Sequence, residues 1–220
     1  MLVAGVDEAG RGCVIGPLVV AGVLVTEANL HVLSRLGVKD SKLLSPKKRE
    51  ALFTKIAGLA EKQLVVKLSP REIDRVVESS RKLHKLNRLE AETMAQVINA
   101  LKPDEAYVDA ADVVEDRFKH HIQEGLIVKA KITSRHKADK FYPVVSAASI
   151  VAKVERDKEI AALRAMYGDF GSGYLTDQKT MLFLKQWLQT HAEYPDCVRK
   201  SWKPAKQAKN EKGTVQKKLA

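Results

Sequence analysis

Aromatic side chains are scarce, at 5% of 220 residues, so any core must be built from Val, Ile, Leu and Ala. Cysteine is scarcer still. Cys13 and Cys197 stand far apart, which excludes a disulfide framework and the paired spacing of a zinc site. Both are expected to be reduced, buried thiols of a cytoplasmic protein. No apolar run reaches the roughly 18 residues that a membrane span requires. Residues 14–25 are apolar, but Gly16, Pro17 and Gly22 interrupt them and no basic stretch precedes them, so no signal peptide is expected. Repeats and low-complexity segments are also lacking. What remains is a chain with 45% hydrophobic residues, long enough for one α/β domain and an appendage.

Charge is present in excess and unevenly placed. The net charge is +11, of which the stretch from Arg199 to the end carries +7, with Glu211 as its single acid. A basic arm on a nearly balanced domain suits a polyanion, because each Lys or Arg set against a phosphate releases counterions. A solvated tail accounts for the same run equally simply.

Residues 2–7 read as a buried strand that stops at Asp7, and residues 18–25 as a second strand. The short link between them holds Gly10, Gly12 and Gly16, so it turns tightly and makes an antiparallel pair. Ser45-Pro46 predicts a helix start, followed by a stripe of Leu52, Phe53, Ile56 and Leu59. A third strand is expected over 63–68, and Ser69 to Glu72 forms a capping-box pattern. Asn87 to Glu90 repeats that pattern ahead of a helix that carries Met94, Val97, Ile98 and Leu101 and stops before Pro103. Further strands are expected over 105–109, ending in Asp109, and over 126–132. Residues 143–164 read as a helix whose Ala147, Ala148, Ala152 and serines suit close packing on a sheet, and residues 176–191 as an amphipathic helix. The pattern predicts a mixed sheet with helices on both faces. The helices beyond about residue 160 are expected to form a separate layer or a small C-terminal subdomain.

Asp7 and Asp109 are the sharpest local features, since each closes an apolar strand and Glu8 follows the first. Alone, each acid fits a turn at a strand end. Together, on neighbouring strands, they would converge at the edge where α/β sheets carry their sites. An unpaired buried carboxylate is costly, so such a cluster calls for a hard cation such as Mg²⁺. Gly10-Arg11-Gly12 is no dinucleotide fingerprint, because the third glycine falls at Gly16 and a strand follows. Its bare backbone admits close approach of a sugar or phosphate, and a structural turn explains it as well. His120, His121 and His136 lack ligand spacing and are expected at the surface, with His136 a neighbour of the site.

Asp7-Glu8-Ala9-Gly10-Arg11-Gly12 resembles the signature of the type 2 ribonucleases H, closest to their archaeal branch. Matching blocks follow in the family's order: Lys39-Asp40-Ser41-Lys42, Tyr107-Val108-Asp109, His136-Lys137-Ala138-Asp139, the run from Tyr142 to Lys153, and Gly171-Ser172-Gly173-Tyr174. The blocks span nearly the whole chain. The resemblance implies a ribonuclease H-like α/β fold: a five-stranded mixed sheet flanked by helices, over 1–160, a small helical substrate-binding extension over 161–204, and a basic, flexible tail over 205–220. It implies that Asp7, Glu8, Asp109 and Asp139 are the catalytic metal ligands, binding Mg²⁺ or Mn²⁺, two ions during catalysis. Asp139, in a polar segment before a helix, does not stand out by pattern. Gly10, Arg11 and Gly12 correspond to the segment that recognises the ribonucleotide 2′-OH. Tyr174 corresponds to the tyrosine that stacks on the following sugar, with Gly171 and Gly173 leaving its ring free to move. Lys42 and Ser146 correspond to residues near the substrate phosphates.

The implied activity is endonucleolytic: hydrolysis of the RNA strand of RNA–DNA hybrids and cutting 5′ of ribonucleotides embedded in duplex DNA, leaving 3′-hydroxyl and 5′-phosphate ends. The partner is therefore an RNA–DNA hybrid or a DNA duplex containing ribonucleotides, met by a cytoplasmic monomer with no membrane association. The family's Pro-Ser-Asp-Pro after the tyrosine is here Leu175-Thr176-Asp177-Gln178, and its second lysine after Asp-Ser is Leu43. Gln216 to Ala220 begins like a sliding-clamp peptide but has no aromatic residue, so clamp binding is not expected. Two rivals are another nuclease of this fold, of the junction-resolvase type, and a non-catalytic nucleic-acid-binding protein. The first leaves Gly10-Arg11-Gly12 and Tyr174 without a role; the second predicts gaps among the acids. A phosphatase using the same acids would not explain the basic arm.

Overall fold

A computed structural model of the protein describes residues 1–38, 44–80 and 83–210. Along the chain run β1 (Leu2–Ala9), β2 (Leu18–Thr26), α1 (Leu30–Arg35), α2 (Pro46–Leu59), β3 (Lys62–Leu68), α3 (Pro70–Glu78), α4 (Lys85–Leu101), β4 (Glu105–Asp109), α5 (Glu115–Glu124), β5 (Lys131–Arg135), α6 (Ala138–Phe141), α7 (Pro143–Tyr167) and α8 (Gln178–Thr190). The strands form one five-stranded sheet in the order β3-β2-β1-β4-β5. β1 pairs antiparallel with β2 and parallel with β4, and β4 pairs parallel with β5. The mixed sheet expected from the sequence is present.

The chain divides into two compact units that interleave along the sequence. The first comprises Met1–Ala9, Val19–Lys67 and Leu83–Glu155; the second comprises Gly10–Leu18, Leu68–Lys82 and Arg156–Ala220. The second unit is thus more than a C-terminal extension, because it also takes in the glycine-rich link and α3. The tail expected to be flexible from residue 205 begins instead as helix, over 203–210. Ala205 is buried there, and Lys206 and Lys209 pair with Glu78 and Glu193. Residues 211–220 lie outside the described residues.

In the first unit both faces of the sheet are covered. Val19, Val23 and Val25 of β2 pack with Leu52 and Ile56 of α2 and with Val144, Ala147, Ala148 and Val151 of α7. Ala4, Val6, Val20 and Leu24 pack on the other face with Met94, Val97 and Ile98 of α4 and with Phe118 and Ile122 of α5. Strand alternation assigns Val3, Gly5, Asp7 and Ala9 to the α7 face. Gly5 is the closest point: a Cβ built there would lie 2.2 Å from the Val144 carbonyl oxygen. The missing side chain lets α7 run against the strand beside Asp7.

Local signals hold where nothing competes with them. Ser45 accepts from the Lys48 N–H, and the Ser69–Glu72 capping box is complete. Two expectations are corrected. The helix expected to open at Asn87 starts at Lys85, after a left-handed His84 (φ 52°). The Asn87 side chain is bonded to Asp112 and so does not cap the helix. The strand expected over 126–132 forms at Lys131–Arg135, where its ladder meets Glu105–Asp109; Leu126, Val128 and Ala130 pack on the core as loop.

Gly5→Ala tests the close approach. The added methyl meets backbone and not a yielding side-chain tip, so the substitution is expected to destabilise the protein by about 3 kcal/mol. Denaturant unfolding gives the value, and a loss below about 1 kcal/mol would show that α7 yields easily.

Candidate active site

β1 and β4 run parallel with Val6 beside Val108, so Asp7 and Asp109 leave adjacent strands at the same edge. β5 brings Arg135 opposite Asp109, and a left-handed Lys137 (φ 56°) then turns the chain into α6, which carries Asp139. The α6 N-terminus is tied back to the strand, with the Ala138 N–H donating to Asp109 Oδ1 at 3.1 Å. The intervening segment is pinned as well. His136 packs Nδ1 3.0 Å from Glu115, and its Nε2 lies 2.7 Å from the Asp112 carbonyl oxygen. Asp112 is held by a two-point bond from Arg117. His121 departs from the expected surface position: it is buried, and desolvation depresses its pKa.

Asp7 is 4% exposed and Asp139 1% exposed. Burial pushes the Asp7 carboxyl above the ordinary range, and the Asp139 charge adds to that; Lys153, a Ser149 hydrogen bond and the Glu8 N–H act against it. The Glu8 N–H donates to Asp7 Oδ1 at 2.7 Å. Glu8 itself follows Asp7 in the strand and so falls on the opposite face by alternation. Both carboxylate oxygens of Asp139 are buried with no hydrogen-bond partner. Among the described residues no three His, Cys, Asp or Glu side chains form a ready metal cage. Asp7, Asp109 and Asp139 nevertheless gather at one sheet edge. Two buried carboxylates that repel each other, one of them with no hydrogen-bond partner, make a donor set that fits a divalent oxygen-loving cation.

Ser146 does not behave as a phosphate contact. It is fully buried, and its hydroxyl donates to the Asp139 carbonyl oxygen, so it fixes the backbone that carries the acid. Lys42 lies outside the described residues. Ser149 and Lys153 lie in the matching run from Tyr142 to Lys153 but carry no assigned role there, though their spacing on α7 puts them on one helix face with Ser146. Lys153 Nζ donates to Ser149 Oγ at 2.5 Å.

The second unit holds the other expected residues. Gly10 has φ +86°, and a Cβ there would meet Arg156 Nε at 2.6 Å. Gly12 is exposed, with nothing within 4 Å of a built Cβ. Tyr174 is half-buried, forms a bridge with Cys13 and lies beneath the Arg156 guanidinium, 4.6 Å from the ring centroid. Its hydroxyl pKa is raised by burial, against the opposing effects of Arg156 and a backbone hydrogen bond from Gly10. Gly171 and Gly173 serve close packing and not ring mobility: a Cβ at Gly173 would lie 2.6 Å from the Ile15 carbonyl oxygen, and one at Gly171 would strike Asp177. Asp177 braces this loop through the Ser172 and Lys179 N–H groups, at 2.6 and 3.0 Å. Both cysteines are free and buried, as expected, and burial pushes the Cys197 thiol up to about 12.

A family model described as Ribonuclease HII matches residues 4–205. The chain belongs to the ribonuclease HII family. The ribonuclease HII of Pyrococcus abyssi is 48% identical over 208 residues, covering 94% of this chain and 90% of that one. Among solved structures, the ribonuclease H2 of Pyrococcus horikoshii superposes with a TM-score of 0.88 at 44% identity, covering 96% of this chain and 98% of that one. A ribonuclease HII from Archaeoglobus fulgidus, solved as a complex with PCNA, gives 0.83 at 44% identity over 92% and 96% of the two chains. The chain is therefore a hydrolytic nuclease of the ribonuclease H kind, from a family that depends on divalent metal.

Asp139→Asn tests the buried charge in the absence of metal. Removing an ion with no partner is expected to raise stability at neutral pH in EDTA by roughly 1–2 kcal/mol. A thermal melt reads this as an upward shift, and a downward shift would show that the carboxylate is already compensated.

Proposed function

We propose that the chain hydrolyses the RNA strand of RNA–DNA hybrids and cuts on the 5′ side of ribonucleotides embedded in duplex DNA, leaving 3′-hydroxyl and 5′-phosphate ends. The observation that carries this reading is the buried Asp7–Asp139 pair beside Asp109, on a chain whose family is ribonuclease HII. Asp7, Asp109 and Asp139 would hold Mg²⁺ or Mn²⁺, two ions during catalysis, and Glu8 is assigned to the same cluster from its sequence alone, since its side chain leaves the other face of β1. The chemistry supplied by such ions would be activation of a water and stabilisation of the leaving 3′-oxygen.

The protein's own groups have separate tasks. Ser149 and Lys153 favour the ionised form of the Asp7 carboxylate against the cost of its burial. Ser146 and the Asp109 bond to Ala138 fix the backbone on either side of Asp139. In the second unit, the Gly10-Arg11-Gly12 backbone reads the 2′-OH, the group that separates RNA from DNA. Tyr174 offers its face to the neighbouring sugar, and Arg156 over the ring sets its tilt. Lys42 is assigned to a substrate phosphate from its sequence alone. A clamp contact is not part of the proposal, and Gln216 to Ala220 lie outside the described residues.

A duplex with one internal ribonucleotide, incubated with Mg²⁺ and then Mn²⁺, should be cut immediately 5′ of that residue, and Asp7→Asn should lower the rate by about a thousandfold. Wild-type cleavage by a folded Asp7→Asn protein would remove Asp7 from the chemistry. Tyr174→Ala is expected to slow cutting at a single ribonucleotide by about tenfold more than cutting of a continuous hybrid. Equal losses on the two substrates would argue against a role for the ring at the junction.

A further inference from the structure

Arg199 was counted in the sequence as part of a basic arm, yet its side chain is 0% exposed. A buried guanidinium needs acceptors for its five N–H groups. Here the acceptors come from the glycine-rich link of the same unit. Nη1 donates to the Arg11 carbonyl at 2.7 Å and Nη2 to the Gly10 carbonyl at 2.6 Å. Nε and Nη2 both reach the Gly16 carbonyl at 3.2 Å, and Nη2 also lies 3.0 Å from Cys13 Sγ. The Arg199 backbone N–H donates to the Val14 carbonyl at 2.8 Å. One side chain therefore gathers carbonyls from both ends of a seven-residue loop, far from it in sequence.

The direction of these bonds has a consequence for the opposite side of the loop. In a planar trans peptide the carbonyl and the following N–H point opposite ways, and the described chain has no cis peptide bond. Turning the Gly10 and Arg11 carbonyls onto Arg199 therefore turns the Arg11 and Gly12 N–H groups away from it. Those are adjacent donors, on the stretch where Gly12 opens to empty space. A full positive charge on the carbonyl side also polarises each peptide, which strengthens the donors opposite. The Gly10 N–H, on the preceding peptide, is bonded to Tyr174, so the ring and the loop share this anchor.

We propose that Arg199 is the positioning residue for ribonucleotide recognition: its buried guanidinium fixes the peptide orientation that presents the Arg11 and Gly12 N–H groups to the 2′-oxygen. The inference rests on the reading that this loop recognises the 2′-OH. It assigns Arg199 no contact with substrate and no share in phosphate binding. Lysine cannot replace it, because an ammonium is a single point and cannot span the Gly10, Arg11 and Gly16 carbonyls together.

The test measures binding in EDTA, so that no strand is cut, with a duplex carrying one ribonucleotide and the same duplex made wholly of DNA. The wild type is expected to prefer the first. Arg199→Lys is expected to shrink that preference by about tenfold, the loss of one hydrogen bond to the sugar, while its Kd for the all-DNA duplex moves by less than twofold. An undiminished preference in a folded Arg199→Lys protein overturns the inference and leaves the ribose-reading loop standing. A wild type without preference overturns the loop reading itself. A second measurement needs no variant. In ¹⁵N-labelled wild type, the Arg199 side-chain Nε–H resonance should shift when the ribonucleotide duplex is added and stay in place with the all-DNA duplex. Equal responses to the two duplexes overturn the inference even if Arg199→Lys does not fold.

Discussion

Like charges held out of water are the constraint around which the first unit is arranged. Asp7 and Asp139 are both nearly inaccessible, and the Asp139 charge acts on Asp7. Left alone, such a pair would be relieved by protonation or by opening the structure. The surrounding fold prevents the second. Parallel pairing of β1, β4 and β5 fixes three strand ends in a row. Gly5 admits α7 to the face on which Asp7 lies, and α7 in turn brings Ser149 and Lys153 to that acid. The small-residue face of α7 and the short α6 are thus parts of one arrangement that keeps acidic side chains where a cation is wanted.

The framework was readable because it rests on local rules with little competition. β1, β2 and β4 appear as apolar runs bounded by acids or glycines, and α2 and α3 announce themselves by Ser-Pro caps. The sequence reading failed where a side chain had a distant partner. Asn87 looks like a cap but bonds to Asp112. Residues 126–130 open with an apolar run like that of a strand but lack a ladder to join, since β4 begins at Glu105 and its register starts β5 at Lys131.

The site shows the same division. Asp7 and Asp109 stood out because strand ends are visible in one dimension. Asp139 did not, since a left-handed Lys137 and a bond from Ala138 to Asp109 are what bring it in. Ser146 matched a family block, but its task is backbone support. Counting charges placed Arg199 with the solvated lysines, although among the described residues of the second unit it is fully buried. Net charge describes a surface only if the charges reach it.

The short tether between Lys153 and Ser149 has a further thermodynamic meaning. The half-buried Lys153 ammonium, whose charge acts on Asp7, supplies part of the neutralisation that a divalent ion would otherwise provide. The polypeptide is therefore not in the position of a zinc finger, which cannot fold until its metal arrives. Folding and ion loading become separable events, and ion capture adds to stability only through mass action.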